Sequence, residues 1–141
     1  MNGGAPPDVQ VHPNALCESE TVGAGTRIWA FAHVMRGAVV GRDCNIGDHA
    51  FIEAGAVLGD RVTVKNAVLV WNGVTVADDV FLGPAVAFTN DLVPRSRTLQ
   101  GERDWWVPTT VGVGASLGAH VTVVCGIDVG AYAFAGAGAV L

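Results

Sequence analysis

An apolar residue recurs every six positions along most of this chain. Leu16, Val22, Ile28, Val34, Val40, Ile46, Ile52, Leu58, Val64, Val70, Val76, Leu82 and Phe88 form one unbroken series. Half of the chain is apolar, so chance would produce such a run in one frame only about one time in ten thousand. The series resumes in a shifted frame at Val111, Leu117, Val123, Val129, Ala135 and Leu141. Six is neither a helical period nor a two-fold alternation, which argues against an amphipathic helix and an ordinary meander. Four residues after each anchor comes a small or β-branched one, as at Ala38, Cys44, Ala50, Ala56, Val62 and Val68. Two inward residues flanking an outward one make a short strand. A repeat of this kind predicts a coil of very short strands.

A longer period lies beneath the six. Anchors 22, 40, 58 and 76 are followed by Gly23, Gly41, Gly59 and Ala77, whereas anchors 16, 34, 52, 70 and 88 are followed by Cys17, Met35, Glu53, Trp71 and Thr89. One corner in three lacks glycine, so a coil is three hexads and the solid a triangular prism. In the second block Val124 breaks the glycine series Gly112, Gly118, Gly130 and Gly136. Placing Val124 on the glycine-free corner makes the interruption an insertion of seventeen residues leaving from that corner. Long excursions in compact domains are functional or disordered. Pro94, Trp105, Trp106 and Pro108 predict an ordered loop. The chain is therefore expected to be one domain, 1–141, with a lead-in at 1–14 and an inserted substrate loop at 90–110.

Composition narrows the function. Only 15% of the residues are charged, the net charge is −5, and the eight basic residues are scattered. Nucleic acid is not the expected partner. No apolar run is long enough for a membrane span, and the first residues lack the pattern of a signal peptide. Cys17, Cys44 and Cys125 follow no metal or disulfide spacing. These features predict a cytoplasmic protein with no membrane partner and no metal.

The stretches "VVGRDCNIGDHAFIEAGAVLGD" and "GAYAFAGAGAV" resemble the hexapeptide-repeat acyltransferases, and that resemblance implies a left-handed parallel β-helix. "TRIWAFAHV", "DDVFLGP", "FTNDLVPRS" and "GASLGAHVTVVCGIDVG" are similar to bacterial N-acetyltransferases acting on nucleotide-linked 3-amino sugars. The implied activity is acetyl-CoA-dependent N-acetylation of a dTDP- or UDP-linked amino sugar. Two departures stand out. Asn72 occupies a position where the family usually carries Asp or Glu. Family members also continue past "GAGAV" into a capping tail; this sequence ends at Leu141 within a hexad, which leaves a truncated chain or an incomplete donor site.

On that resemblance Asn90 matches an asparagine beside the sugar amine. The eighteen-residue period puts Arg36, Ala54, Asn72 and Asn90 in one column, with Asn72 and Asn90 neighbours at the root of the loop. Asn72 is equally well explained as a rung of a structural amide ladder. An amide orients an amine without taking its proton, so the expected chemistry is orientation and charge stabilisation, with the proton leaving on the CoA sulfur. His33 is the histidine candidate for a base, on an outward face from which it approaches a neighbouring subunit. His12, His49 and His120 are expected at the surface. Glu53, Trp71, Asp91, Arg95 and Arg97 are candidates for the sugar nucleotide; a guanidinium fork suits a diphosphate, though the two arginines equally suit Glu102 and Asp104. Trp105 and Trp106 either stack on the ligand or anchor the loop. Backbone amides near Gly118, Ala119, Gly136 and Gly138 are expected to hold the CoA arm.

Outward Val39, Phe51, Val57, Leu69 and Phe81 predict an apolar interface, and the resemblance implies a homotrimer. Two alternatives stay open. One is an O-acetyltransferase or the acetyltransferase half of a bifunctional sugar-modifying enzyme. The other is an inert trimeric β-helix scaffold.

Overall fold

The computed structural model describes residues 4–96 and 106–141. Among these the chain is all β, with eighteen strands of two or three residues and no helix. The strands sort into three parallel sheets of seven, six and five, here called faces A, B and C. Face B stacks Leu16–Cys17, His33–Val34, Phe51–Ile52, Leu69–Val70, Ala87–Phe88 and Thr122–Val123. The chain visits B, C and A in turn, so the molecule is a three-sided parallel β-solenoid of about six coils. No coil has a core of its own; each buries its inward residues only by stacking on its neighbours.

The eighteen-residue register is observed directly. His33 pairs with Phe51, and Phe51 with Leu69, so Val34, Ile52, Val70 and Phe88 line one inner wall. All four are buried, as are Ala38, Cys44, Ala50, Ala56, Val62 and Val68. Thr75 pairs with Val57 below it and with Thr110 above it. The spacing thus jumps from eighteen to thirty-five, which leaves seventeen residues outside the ladder. Asn90 still bonds to the coil below, and Thr109 N donates to Gly73 O at 3.1 Å. The seventeen residues outside the ladder are therefore 91–107.

One anchor is corrected. Leu16 pairs with His33, and Cys17 pairs with Val34, so Cys17 is the inward residue and Leu16 is only partly covered. The lowest coil is one residue short. Glu18, not Cys17, therefore begins the column of Met35, Glu53, Trp71 and Thr89. The outward apolar residues also fail to form one patch. Phe51 and Leu69 lie on face B, Val39 and Val57 on face C, and Phe81 on face A.

The corners are of two kinds. Where glycine follows the anchor, a side chain there would strike the next coil; a Cβ on Gly41 would collide with the backbone of Gly59. These corners place Asp43, His49 and Arg61 in the left-handed region two residues later. The corner between faces B and C reverses this. Glu53 and Trp71 follow the anchor with full side chains, while Gly37, Gly55, Gly73 and Gly126 take the positive φ. Gly55 is required twice over: its φ is +89°, and a Cβ would run into the Asn72 amide.

Candidate functional site

The excursion leaves and rejoins the coil at this B–C corner. Val107 N–H donates to Asn90 O at 3.0 Å, and Gly126 N–H donates to Pro108 O at 3.0 Å, closing the loop at its root. One coil above, Cys125 N–H donates to Thr89 Oγ1 at 2.9 Å. An open pocket of about 300 Å³ lies against this root, lined by Glu53, Trp71, Asn90 and Trp106.

Each wall is held by a specific bond. Glu53 Oε2 accepts from Asn72 N–H at 2.7 Å. Asn90 Nδ2 donates to the Asn72 carbonyl at 3.1 Å. This assignment of the amide leaves Oδ1 as an acceptor with no hydrogen-bond partner among the described residues. Trp71 Nε1 donates to Phe88 O at 2.9 Å, and its ring packs 5.7 Å from that of Phe51. The pocket thus combines a carboxylate, a carboxamide oxygen and two indoles.

Of the sequence candidates, the structure brings Asn90, Glu53 and Trp71 together. Asn72 supports the group through its backbone: Asn90 meets the Asn72 carbonyl, not its side-chain amide, so no amide–amide ladder forms. Asp91 accepts from Val93 N–H at 2.9 Å and shapes the start of the loop. Arg95 Nη1 donates to the adjacent Pro94 O at 2.8 Å on the exposed loop. Arg97, Glu102, Asp104 and Trp105 lie outside the described residues.

His33 is held elsewhere. Its Nε2 lies 2.8 Å from Glu18 Oε2, with both side chains about one-third exposed. It also meets Phe51 edge-on at 5.4 Å. Three rungs separate its strand from that of Ala87, roughly 14 Å at the usual strand spacing, so it is remote from Asn90 of the same chain. Burial pushes the Cys17 and Cys44 thiols up, which leaves neither as an activated nucleophile.

Gly118, Ala119, Gly136 and Gly138 share the corner between faces A and B. Gly118 N–H is bonded to Ala135 O and Gly138 N–H to Ala119 O, both at 2.9 Å. Those two amides are engaged in the ladder. Gly136 and Gly138 nevertheless have open space where side chains would stand.

Sequence reasoning missed Glu18 as the partner of His33, because the fifteen-residue separation matches no column. It also left Trp106 with two roles. A second cavity, of about 150 Å³, lies at the other end of the coil between Gln10, His12, Arg27 and Trp29. It holds none of the expected residues and no carboxylate. The described residues contain no cluster of three or more metal-ligating side chains and no helix long and apolar enough to cross a membrane.

Residues 21–54 match the family described as bacterial transferase hexapeptide (six repeats). Over 36 residues the chain is 53% identical to the dTDP-3-amino-3,6-dideoxy-alpha-D-galactopyranose 3-N-acetyltransferase of Aneurinibacillus thermoaerophilus. That match spans 26% of this chain and only 19% of the relative. The perosamine N-acetyltransferase of Caulobacter crescentus, solved with CoA and GDP-perosamine, is 24% identical with a TM-score of 0.41, across 96% of this chain and 45% of its own. The UDP-N-acetylglucosamine acyltransferase of Campylobacter jejuni superposes with a TM-score of 0.57 at 17% identity, across 90% of this chain and 65% of its own. The chain therefore carries the hexapeptide repeat of bacterial transferases and shares the fold of that acyltransferase.

Proposed function

We propose that the chain is an acetyl-CoA-dependent N-acetyltransferase acting on the amino group of a nucleotide-linked amino sugar. The observation that carries this reading is the pocket at the loop root, where Asn90 presents an acceptor oxygen beside Glu53, Trp71 and Trp106. The sequence match to a dTDP-3-amino-sugar N-acetyltransferase supports the same acceptor.

In this reading Asn90 Oδ1 accepts a hydrogen from the sugar nitrogen and aims its lone pair at the thioester carbon. Holding the two reactants in attack geometry supplies much of the acceleration. Trp71 and Trp106 cover the sugar's apolar faces and displace water. CoA lies along the A–B corner, where Gly136 and Gly138 permit close approach. The departing sulfur takes a proton from the newly bonded nitrogen. Arg95 and Arg97 meet the nucleotide diphosphate, and Asp91 shapes the loop that carries them. The protein works as a homotrimer, with Phe51 and Leu69 of face B between subunits, and His33 approaches the neighbouring site.

The test is direct. The protein is incubated with acetyl-CoA and a panel of nucleotide-linked sugars, and acetylated product is followed by mass spectrometry. Turnover is expected with a 3-amino sugar; acetylation of hydroxyl sugars alone, or of none, would refute the proposal. Phe51→Asp is expected to weaken association measured by sedimentation, because an unpaired carboxylate is costly to bury. A wild-type monomer at micromolar concentration would overturn the assembly.

A further inference from the structure

We infer that Glu53 recognises the acceptor as an ammonium ion, takes its proton, and so selects nitrogen over oxygen acceptors. The inference rests on the proposed acetyl transfer for its chemistry and on the pocket for its geometry. Among the described residues that line the pocket, Glu53 holds the only carboxylate. Oε2 is fixed by Asn72 N–H at 2.7 Å, and Oε1 has no hydrogen-bond partner among the described residues. No basic side chain lies within 4 Å of either oxygen among those residues. The carboxylate is thus oriented and has no countercation among the described residues.

Two indoles strengthen this choice of ligand. Trp71 and Trp106 line the same space, and an indole face attracts a cation by its quadrupole. A carboxylate flanked by indoles favours an organic cation over a neutral hydroxyl. Asn90 Oδ1 supplies a second acceptor, and an ammonium has three N–H groups to satisfy both. A hydroxyl donates once and leaves one acceptor unpaired.

The step balances. The ammonium gives one proton to Glu53, which becomes a carboxylic acid, and the freed lone pair forms the bond to the thioester carbon. The carbon–sulfur bond breaks with its electron pair on sulfur. The nitrogen, now an amide, loses its surplus proton to that sulfur, and Glu53 returns its proton to water. An ammonium and acetyl-CoA yield amide, CoA thiol and one proton.

Among the described residues the charged and titratable groups along this corner are Glu18, Glu20, Arg36, Glu53, Asp91 and Arg95, with His33 on the adjoining face B. Their titration affects any sugar nucleotide alike. The experiment therefore compares a dTDP-linked 3-amino sugar with its 3-hydroxy counterpart, by calorimetry without acetyl-CoA, from pH 6.5 to 9.5. Glu53→Gln keeps an oxygen to accept from Asn72 N–H, so its fold is preserved. The wild type is expected to bind the amino sugar about tenfold more tightly at pH 7, as befits one charge-assisted hydrogen bond. That preference should fade above roughly pH 8, where an amine of this class loses its proton. In Glu53→Gln the two sugars should bind nearly equally at every pH. Separately, acetyl transfer by Glu53→Gln should be slower at pH 7 and should recover as pH rises and the free amine forms. A preference that rises with pH, or that survives in Glu53→Gln, overturns the inference. If transfer to the amine proceeds while the preference ignores Glu53, this inference fails and the proposed function stands. If the preference holds but no acetyl group moves, the reverse is true. Failure of either sugar to bind overturns both.

Discussion

The B–C corner and the corner between faces C and A are built from the same hexad, yet only one carries the candidate site. At the C–A corner Gly41 and Gly59 follow their anchors, because the next coil leaves no room for a Cβ. Its surface is a self-contained network: Arg61 Nε donates to Asp79 at 2.7 Å, and Asp60 N–H donates to Asp78 at 2.8 Å. At the B–C corner the glycine has moved two residues on, to Gly55 and Gly73. The vacated position holds Glu53 and Trp71, and one carboxylate oxygen of Glu53 has no hydrogen-bond partner among the described residues. At this corner the relocated glycine takes the left-handed turn, and the position it leaves carries the side chains that line the pocket.

The sharpest way to break the comparison is to exchange the two corners' rules. Gly41→Leu should cost more than about 3 kcal/mol, because overpacking against fixed backbone cannot relax. Glu53→Ala, at the equivalent position, should stay within about 1 kcal/mol. Urea unfolding of both variants checks this, and equal losses would show that the corners do not differ.

Next in size is Asn90→Ala. Loss of one polar contact in a transition state is commonly worth about 2–4 kcal/mol, or roughly 30- to 1,000-fold in kcat/KM. Steady-state kinetics with the amino sugar should show this with unfolding unchanged. His33→Ala should cost less in kcat/KM. If it abolishes turnover while Asn90→Ala stays near wild type, the chemistry belongs to the histidine of an adjoining subunit.

Thr109 marks the point where the chain rejoins the coil. It is buried beside Val74, and its hydroxyl has no hydrogen-bond partner among the described residues. Thr109→Val keeps the shape and removes the orphan group, so a gain of about 1 kcal/mol is expected. A loss on thermal unfolding would mean that the loop satisfies this hydroxyl.

The smallest effect belongs to the C–A network. The Arg61 hydrogen bond holds Asp79 below its ordinary value of 3.8. A lowered carboxylate stabilises the fold above its unfolded value and loses that contribution as pH falls through the folded one. Both side chains are well exposed, so Asp79→Asn should lower Tm only slightly at pH 7 and not at all near pH 2. A large shift at pH 7 would give this corner an importance that solvent screening denies it.

Much of the fold was legible because inward and outward alternation is written into each hexad. Val34, Ile52, Val70 and Phe88 stack as the period requires, the seventeen-residue excursion follows from the frame shift, and Asn90 sits over Asn72. The same counting misplaced Leu16, since one residue fewer in the lowest coil rotates Cys17 inward and no apolar pattern distinguishes the two. It also merged Val39, Phe51 and Phe81 into one patch, although outwardness repeats on three faces that point apart. Periodicity fixes which residues face in. Which corner groups converge is a matter of where side chains reach across rungs, and that requires the coil itself. Glu53 reaches up to Asn72, Asn90 reaches down to the same residue, His33 turns to Glu18, and Trp106 returns from the excursion to close the pocket. Apart from Asn90 and Asn72, which share a column, these contacts join positions that the hexad count does not align, so only the stacked backbone could decide them.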